Sequence, residues 1–121
     1  MTFDKLEMFT PPKGQIIIAT LDGEAHGTAN VKMIRPAAAE IKRMCVTGEA
    51  RGRGIGESLV SSSVDIALKL GATEMYLDTP TPFKSAHRQY QRQGFIWTEE
   101  YPEVDIPDEL KIDRLYMHKQ L

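Results

Sequence analysis

Apolar and polar residues alternate in the first third of the chain as β-strands require. The β-branched segment QIIIATL, residues 15–21, predicts a strand, and the Asp-Gly pair at 22–23 predicts a type I′ hairpin turn, which needs positive φ. EAHGTANVKMI, residues 24–34, predicts the return strand, with a bulge at Gly27. After a short connection, EIKRMCV at residues 40–46 predicts a third strand.

The pattern then changes to helical spacing. Leu59, Ser63, Ile66 and Leu70 fall on one stripe, which predicts a helix that ends at Gly71. The later elements predicted from the pattern are a strand at 73–79, a polar helix at 84–93 that Gly94 stops, a strand at 95–101, an acidic loop at 102–111 and a closing strand at 112–121. The order β-β-β-α-β-α-β-β predicts an α/β (α+β) fold with a mixed, mostly antiparallel sheet flanked by helices. A short helix is also predicted within residues 1–10.

Length and composition are those of one ordinary globular domain covering residues 1–121. A net charge of −2 and a pI of about 5.9 give no basic excess for a nucleic-acid partner. No segment approaches the roughly 18 apolar residues that span a bilayer, and the N-terminus lacks the pattern of a signal peptide. The single cysteine excludes an internal disulfide. We therefore expect a soluble, cytoplasmic protein without a membrane partner.

The segment RGRGIG, residues 51–56, lies between the third predicted strand and the first long helix. The first amides of a helix have no intrahelical partner, and glycines allow close backbone approach, so this position suits a phosphate group. A plain tight turn with solvated arginines is the alternative. The G-x-G-x-x-G spacing of dinucleotide sites fails because Glu57 or Leu59 stands where the last glycine is needed, and no Walker loop is present.

Two motifs resemble those of the GNAT superfamily of N-acetyltransferases. The acetyl-CoA signature Q/R-x-x-G-x-G/A and the later pattern A-x-x-x-Y-x-x-x-G-F are matched by Arg51, Gly54 and Gly56 and by Ala86, Tyr90, Gly94 and Phe95. The resemblance runs from about Gln15 to the C-terminus. It implies that acetyl-CoA is the acyl donor and that a primary amine, in a small molecule rather than a protein, attacks the thioester directly.

The resemblance also implies roles for individual residues. Tyr90 would be the general acid that protonates the departing thiolate. Glu40 would be the general base, acting through water. The thioester carbonyl and the pantetheine arm would be held mainly by backbone at Met44, Cys45 and Val46. The pyrophosphate would be held by Arg51, Gly52, Arg53, Gly54, Ile55 and Gly56.

The chain departs from the family pattern at two places. About 14 residues precede Gln15, so we expect the family's usual first strand and first two helices to be missing or reduced. Either the acceptor site is then open or another chain completes it, and exposed sheet edges favour a homodimer. Phe83 stands where many members have an asparagine that contacts the pantetheine arm, so that contact is not expected here.

Several residues have simpler interpretations. Tyr90 is also compatible with packing on the sheet, and Glu40 with a solvated or ion-paired strand end. Cys45 is predicted to be a small buried hydrophobe rather than a nucleophile. His87 is predicted to lie on the surface of its helix, and its distance from the other histidines predicts no metal site. A non-catalytic acyl-CoA-binding module, or an interaction domain without a ligand, are the alternative functions.

Overall fold

The computed structural model describes residues 11–121, without the side chain of Ala50. The strands are β1 (Gly14–Leu21), β2 (Glu24–Arg35), β3 (Ala38–Val46), β4 (Glu74–Pro80), β5 (Ile96–Thr98) and β6 (Arg114–Gln120). The helices are α1 (Ile55–Lys69) and α2 (Lys84–Arg92), with short 3₁₀ turns at Gly48–Ala50 and Asp108–Asp113. The predicted order of elements is confirmed. The helix predicted within residues 1–10 lies outside the described residues.

The six strands form one sheet in the order β1-β2-β3-β4-β6-β5. Every neighbouring pair is antiparallel except β3 and β4, which are parallel because α1 connects them as a crossover. The predicted mixed, mostly antiparallel sheet is therefore confirmed. The fifth strand is shorter than the predicted range 95–101, because residues 99–101 leave the sheet and enter the long loop before β6.

The first hairpin has the predicted local geometry. Asp22 and Gly23 have φ of 52° and 83°, as a type I′ turn requires. Ala19 pairs with Gly27, whereas the next residue, Thr20, pairs with Ala25, so β2 carries one extra residue at this point. The bulge predicted at Gly27 is confirmed.

One face of the sheet packs against the two helices. Val31, Ile41, Leu77 and Met117 belong to a buried cluster that also includes residues of both helices, among them Val60. Side chains alternate across a strand, so the residue after each of the first three, namely Lys32, Lys42 and Asp78, points to the opposite face. The sheet therefore separates an apolar, helix-covered face from a charged one.

Gly27 allows α1 to lie close to β2. A Cβ atom added to Gly27 would lie 2.9 Å from Ile55 Cγ2 and 3.0 Å from Leu59 Cδ1. Gly27→Ala is therefore expected to lower the free energy of unfolding by about 1–3 kcal/mol, because the first turn of α1 must shift. Denaturant titration measures this. Gly48→Ala is the control, since an added Cβ there meets nothing within 4 Å; equal losses in both variants would contradict the explanation.

Candidate active site

A cleft opens where the parallel strands separate. The ladder between β3 and β4 begins where Ala38 pairs with Glu74 and ends where Ile41 pairs with Leu77. Beyond this point β4 stays paired with β6, and β3 stays paired with β2. A register shift in β3 and a φ of 53° at Arg43 mark a bulge that turns β3 away from β4. Within residues 11–121, the edge of β3 that faces β4 thus has no strand partner after Ile41.

A cavity of about 400 Å³ lies between the separating strands. Its lining residues come from β2, β3, β4, α2 with the turn before it, the long loop before β6, and β6 itself: Lys32, Ile41–Met44, Leu77–Pro80, Phe83, Tyr90, Asp105, Ile106 and Arg114. The cavity lies at the carboxyl ends of the two parallel strands, the usual place for ligands in sheets of this kind. Met44 is the one residue of the predicted pantetheine-binding segment that lines it.

The predicted glycine turn follows β3 and leads into α1. Gly52 and Gly54 have φ of 82° and 79°, a left-handed conformation that glycine adopts without strain. Gly54 caps α1, and no side chain among the described residues caps the first amides of the helix. Arg51 and Arg53 are exposed beside the turn. Free amides, a helix N-terminus and nearby guanidinium groups suit a phosphate or pyrophosphate group.

Gly56 has a packing role that the motif does not reveal. A Cβ atom at Gly56 would lie 3.0 Å from Oε1 of Gln89 in α2. The absence of a side chain at Gly56 therefore lets α2 approach the first turn of α1. Tyr90 is the next residue of α2, so this contact brings the glycine turn and the predicted general acid together.

Tyr90 is buried and lines the cavity. Its ring packs edge-on against Phe95, with 6.0 Å between ring centroids. Its hydroxyl has no hydrogen-bond partner among residues 11–121. Burial, with a smaller contribution from the charge of Asp78, raises the pKa of Tyr90 to about 12. The phenol is therefore protonated at neutral pH and has a proton to donate.

Glu40 is fully buried and does not line the cavity. The Tyr101 hydroxyl donates a hydrogen bond to Glu40 Oε2 over 2.5 Å. Glu40 Oε1 has no hydrogen-bond partner in the part of the chain that the structure describes, and the Nζ atoms of Lys32 and Lys42 each lie 3.8 Å from the carboxylate. Burial raises the pKa of Glu40, although Tyr101 and the two lysines oppose this. Tyr101 was missed by sequence analysis, which assigned it to the end of a strand.

The raised pKa of Glu40 makes stability depend on pH. A carboxyl group whose pKa is higher in the folded state destabilises the fold progressively as the pH rises from its unfolded value, about 4.3, through its folded value. Glu40→Gln removes this dependence. The unfolding free energy of the variant minus that of the wild type should increase between about pH 4 and pH 8, by about 1.4 kcal/mol per unit of pKa elevation.

Denaturant titrations across that range test the prediction. Glu49→Gln removes one exposed carboxylate and controls for net charge. A difference between Glu40→Gln and wild type that stays constant with pH, or decreases as the pH rises, would contradict the assignment.

Two predictions about single residues are wrong. Cys45 is exposed rather than buried, because only its neighbours in β3, Met44 and Val46, pack toward α1. His87 is buried rather than on the surface. Its Nε2 donates to the Pro80 carbonyl over 3.0 Å, and its ring lies edge-on to Trp97. His87 thus anchors α2 to the end of β4.

Two features of residues 11–121 concern a metal ion and a membrane. No group of three or more histidine, cysteine, aspartate and glutamate residues in this part of the chain is arranged to hold a metal ion. No described helix has the length and apolar character needed to cross a membrane.

Two acidic residues of the predicted acidic loop have different surroundings. Asp105 lines the cavity, whereas Glu103 forms an ion pair with Arg35 over 2.8 Å.

Two parallel strands that separate, connected by a glycine turn and a helix, are typical of the acyl-CoA N-acyltransferase fold. Solved structures agree: an acetyltransferase from Streptococcus agalactiae superposes with a TM-score of 0.82 and 26% identity, over 98% of this chain and 74% of that one. yncA of Salmonella typhimurium, solved with its cofactor acetyl-CoA, superposes with a TM-score of 0.78 and 21% identity, over 100% of this chain and 75% of that one.

Sequence comparison identifies the family. Residues 2–95 match the model of the acetyltransferase (GNAT) family. An uncharacterized N-acetyltransferase of Schizosaccharomyces pombe is 34% identical over 119 residues, which cover 94% of this chain and 71% of the relative. The chain therefore belongs to the GNAT family and is an acetyl-CoA-dependent N-acetyltransferase of that family.

Proposed function

We propose that this protein transfers the acetyl group of acetyl-CoA to the primary amine of a small molecule, with Tyr90 as general acid. The observation that carries the proposal is the position of Tyr90. Tyr90 lines the cavity between the separating strands, and the side chain of Gln89, the residue before it, packs close to Gly56 in the glycine turn. This position supports the proposal, because Tyr90 would then lie between the pyrophosphate of the donor and the acceptor amine.

The residues present fit acetyl-CoA. The amides of residues 52–56, with Arg51 and Arg53 beside them, would hold the pyrophosphate. The unpaired edge of β3 at Met44, Cys45 and Val46 would bind the pantetheine arm in the place that β4 vacates, and an amide of this edge would stabilise the oxyanion. Because these contacts use the backbone, the exposed thiol of Cys45 has no assigned role in them.

The reaction would proceed by direct attack. The neutral amine nitrogen forms a bond to the thioester carbon, the carbon–sulfur bond breaks, and the Tyr90 hydroxyl gives its proton to the thiolate. The nitrogen loses one proton as it becomes an amide, and this proton restores the Tyr90 hydroxyl. The attacking ammonium must first lose a proton. We keep Glu40 as the proposed base: its unpartnered Oε1 lies 3.8 Å from Lys32 Nζ, and Lys32 lines the cavity. A water molecule beside Lys32 would carry the proton to Glu40.

The shape of the cavity favours a small acceptor. The cavity of about 400 Å³ has the size of a site for a small molecule, and the end of the pantetheine arm beside Met44 would take up part of it. The long loop before β6 covers part of the charged face through Tyr101, and its Asp105 and Ile106 form one wall of the cavity. A small amine fits such a site more readily than a segment of a folded protein.

Release of CoA tests the proposal. The protein is incubated with acetyl-CoA and a panel of primary amines, and free thiol is measured with a chromogenic disulfide. We expect amine-dependent thiol release and an acetylated amine detectable by mass spectrometry. Absence of release with every amine, while acetyl-CoA raises the melting temperature, would instead favour the non-catalytic acyl-CoA-binding alternative.

A further inference from the structure

The cavity reaches the charged face of the sheet. Lys32, Lys42 and Asp78 point away from the helices, and Arg114 pairs with Pro80 in the ladder that also pairs Asp78 with Tyr116, so it lies on the same face. Tyr90 approaches from the helix side. A donor bound beside the glycine turn and an acceptor bound on the charged face would therefore meet between the strands.

Cations outnumber anions among the described residues that line this cavity. Four are cationic and two are anionic: Lys32, Lys42, Arg43 and Arg114 against Asp78 and Asp105. Asp78 is already neutralised, since Lys42 Nζ lies 3.4 Å from Oδ1 and Arg114 Nη1 lies 3.4 Å from Oδ2. Asp105 and Arg43 are both exposed at the rim. The three less exposed cations, Lys32, Lys42 and Arg114, face Asp78 and the buried carboxylate of Glu40, which leaves an excess of one positive charge.

Lys32 is the cation with the least satisfied head group. Its side chain is only 15% exposed, and its carboxylate neighbour, Glu40 Oε1, lies 3.8 Å away, beyond hydrogen-bond distance. No described residue accepts a hydrogen bond from its Nζ. A partly buried ammonium with free donors at a cavity wall is suited to binding an anion.

We propose that the acceptor is a primary amine that also carries a carboxylate, as an amino acid does, and that Lys32 binds the carboxylate. This inference rests on the proposed function. With the carboxylate at Lys32, the amine of a short acceptor lies toward Asp78 and Tyr90, where the acetyl group is transferred. A simple cationic amine, in contrast, has no carboxylate to offset the repulsion between its own charge and the cations of the cavity.

Matched pairs of acceptors test the inference. Each amino acid is compared with the amine that its decarboxylation leaves, and kcat/KM is measured for both at saturating acetyl-CoA. We expect the best amino acid to exceed its decarboxylated partner by about tenfold or more, because a hydrogen bond between charged groups is lost in the partner. A decarboxylated amine that is used equally well or better overturns the inference.

Variants identify the residue responsible. Lys32→Gln should reduce the ratio of kcat/KM between the two members of a pair toward one, and Lys32→Arg should retain most of it. Lys69→Gln removes an exposed lysine from the last turn of α1 and should leave the ratio unchanged. The ratio is informative even if Lys32→Gln disturbs Glu40, because that disturbance slows both members of a pair. An undiminished ratio in Lys32→Gln contradicts the role of Lys32.

A binding measurement separates this inference from the proposed function. Melting temperatures are recorded with N-acetyl amino acids and with the corresponding uncharged N-acetyl amines, in the presence of CoA. Stabilisation by the carboxylate-bearing compounds alone, lost in Lys32→Gln, supports the inference even without turnover. Turnover of amines without any preference for a carboxylate supports the proposed function and refutes the inference.

Discussion

Tyr90→Phe is expected to lower kcat by about 10²–10⁴-fold while the KM for acetyl-CoA changes little. The reason is that Tyr90, whose pKa of about 12 keeps the hydroxyl protonated, lines the cavity in which the thiolate would depart. Phenylalanine keeps the ring contact with Phe95 and removes only the proton donor. Steady-state measurement of CoA release, with the best amine from the panel, gives both constants.

Tyr116→Phe is the matched control. It also removes one hydroxyl from a buried tyrosine, but Tyr116 does not line the cavity, and its hydroxyl donates to Glu100 over 3.3 Å. We expect its kcat to stay within a few-fold of the wild-type value. A Tyr90→Phe enzyme as active as Tyr116→Phe would eliminate Tyr90 as the general acid and leave it a packing residue.

Gly54→Val is expected to raise the Kd for acetyl-CoA by about tenfold or more, which corresponds to about 1.4 kcal/mol of lost binding. A φ of 79° is unfavourable for a β-branched residue, so the substitution distorts the turn whose amides would hold the pyrophosphate. Its side chain also occupies the surface that the phosphate must approach. Isothermal titration with acetyl-CoA measures the loss.

Gly23→Val separates backbone strain from ligand binding. Gly23 has a φ of 83°, and an added Cβ there meets nothing within 4 Å, as at Gly54. Both variants should therefore lose a similar free energy of unfolding, about 1–2 kcal/mol. Only Gly54→Val should bind acetyl-CoA more weakly, because Gly23 lies in the first hairpin turn. Equal affinities in the two variants would show that the turn at 51–56 does not hold the donor.

The sequence correctly predicts several helix ends and turns from its glycines, because the positive φ at each of these positions is a local requirement. Gly71 and Gly94 end their helices with φ of 96° and 95°, and the Asp22-Gly23 turn sets the first hairpin. The motif residues Gly54 and Tyr90 also fall on the elements that the pattern predicts. The motif does not reveal that Gly56 serves the approach of Gln89, because that contact joins residues far apart in the chain.

Long-range packing explains the wrong predictions. His87 has the sequence context of a polar helix, yet it is buried because α2 docks on the end of β4 and beside Trp97. Cys45 is exposed because the bulge at Arg43 changes the local alternation of β3 and only one of its faces meets α1. Hydrophobic periodicity encodes neither the docking of a helix nor a bulge within the strand.

The sequence by itself determined the order of the elements, the turns that positive φ requires and the family motifs, since each depends on residues close together in the chain. Only the tertiary structure decided the environment of the candidate acid and base. Tyr101, 61 residues beyond Glu40, folds over the sheet to donate a hydrogen bond to it, and Lys32 and Lys42 arrive from two different strands. The burial that raises the pKa of Glu40 and the positive charge of the cavity arise from contacts between distant segments, which no local pattern records.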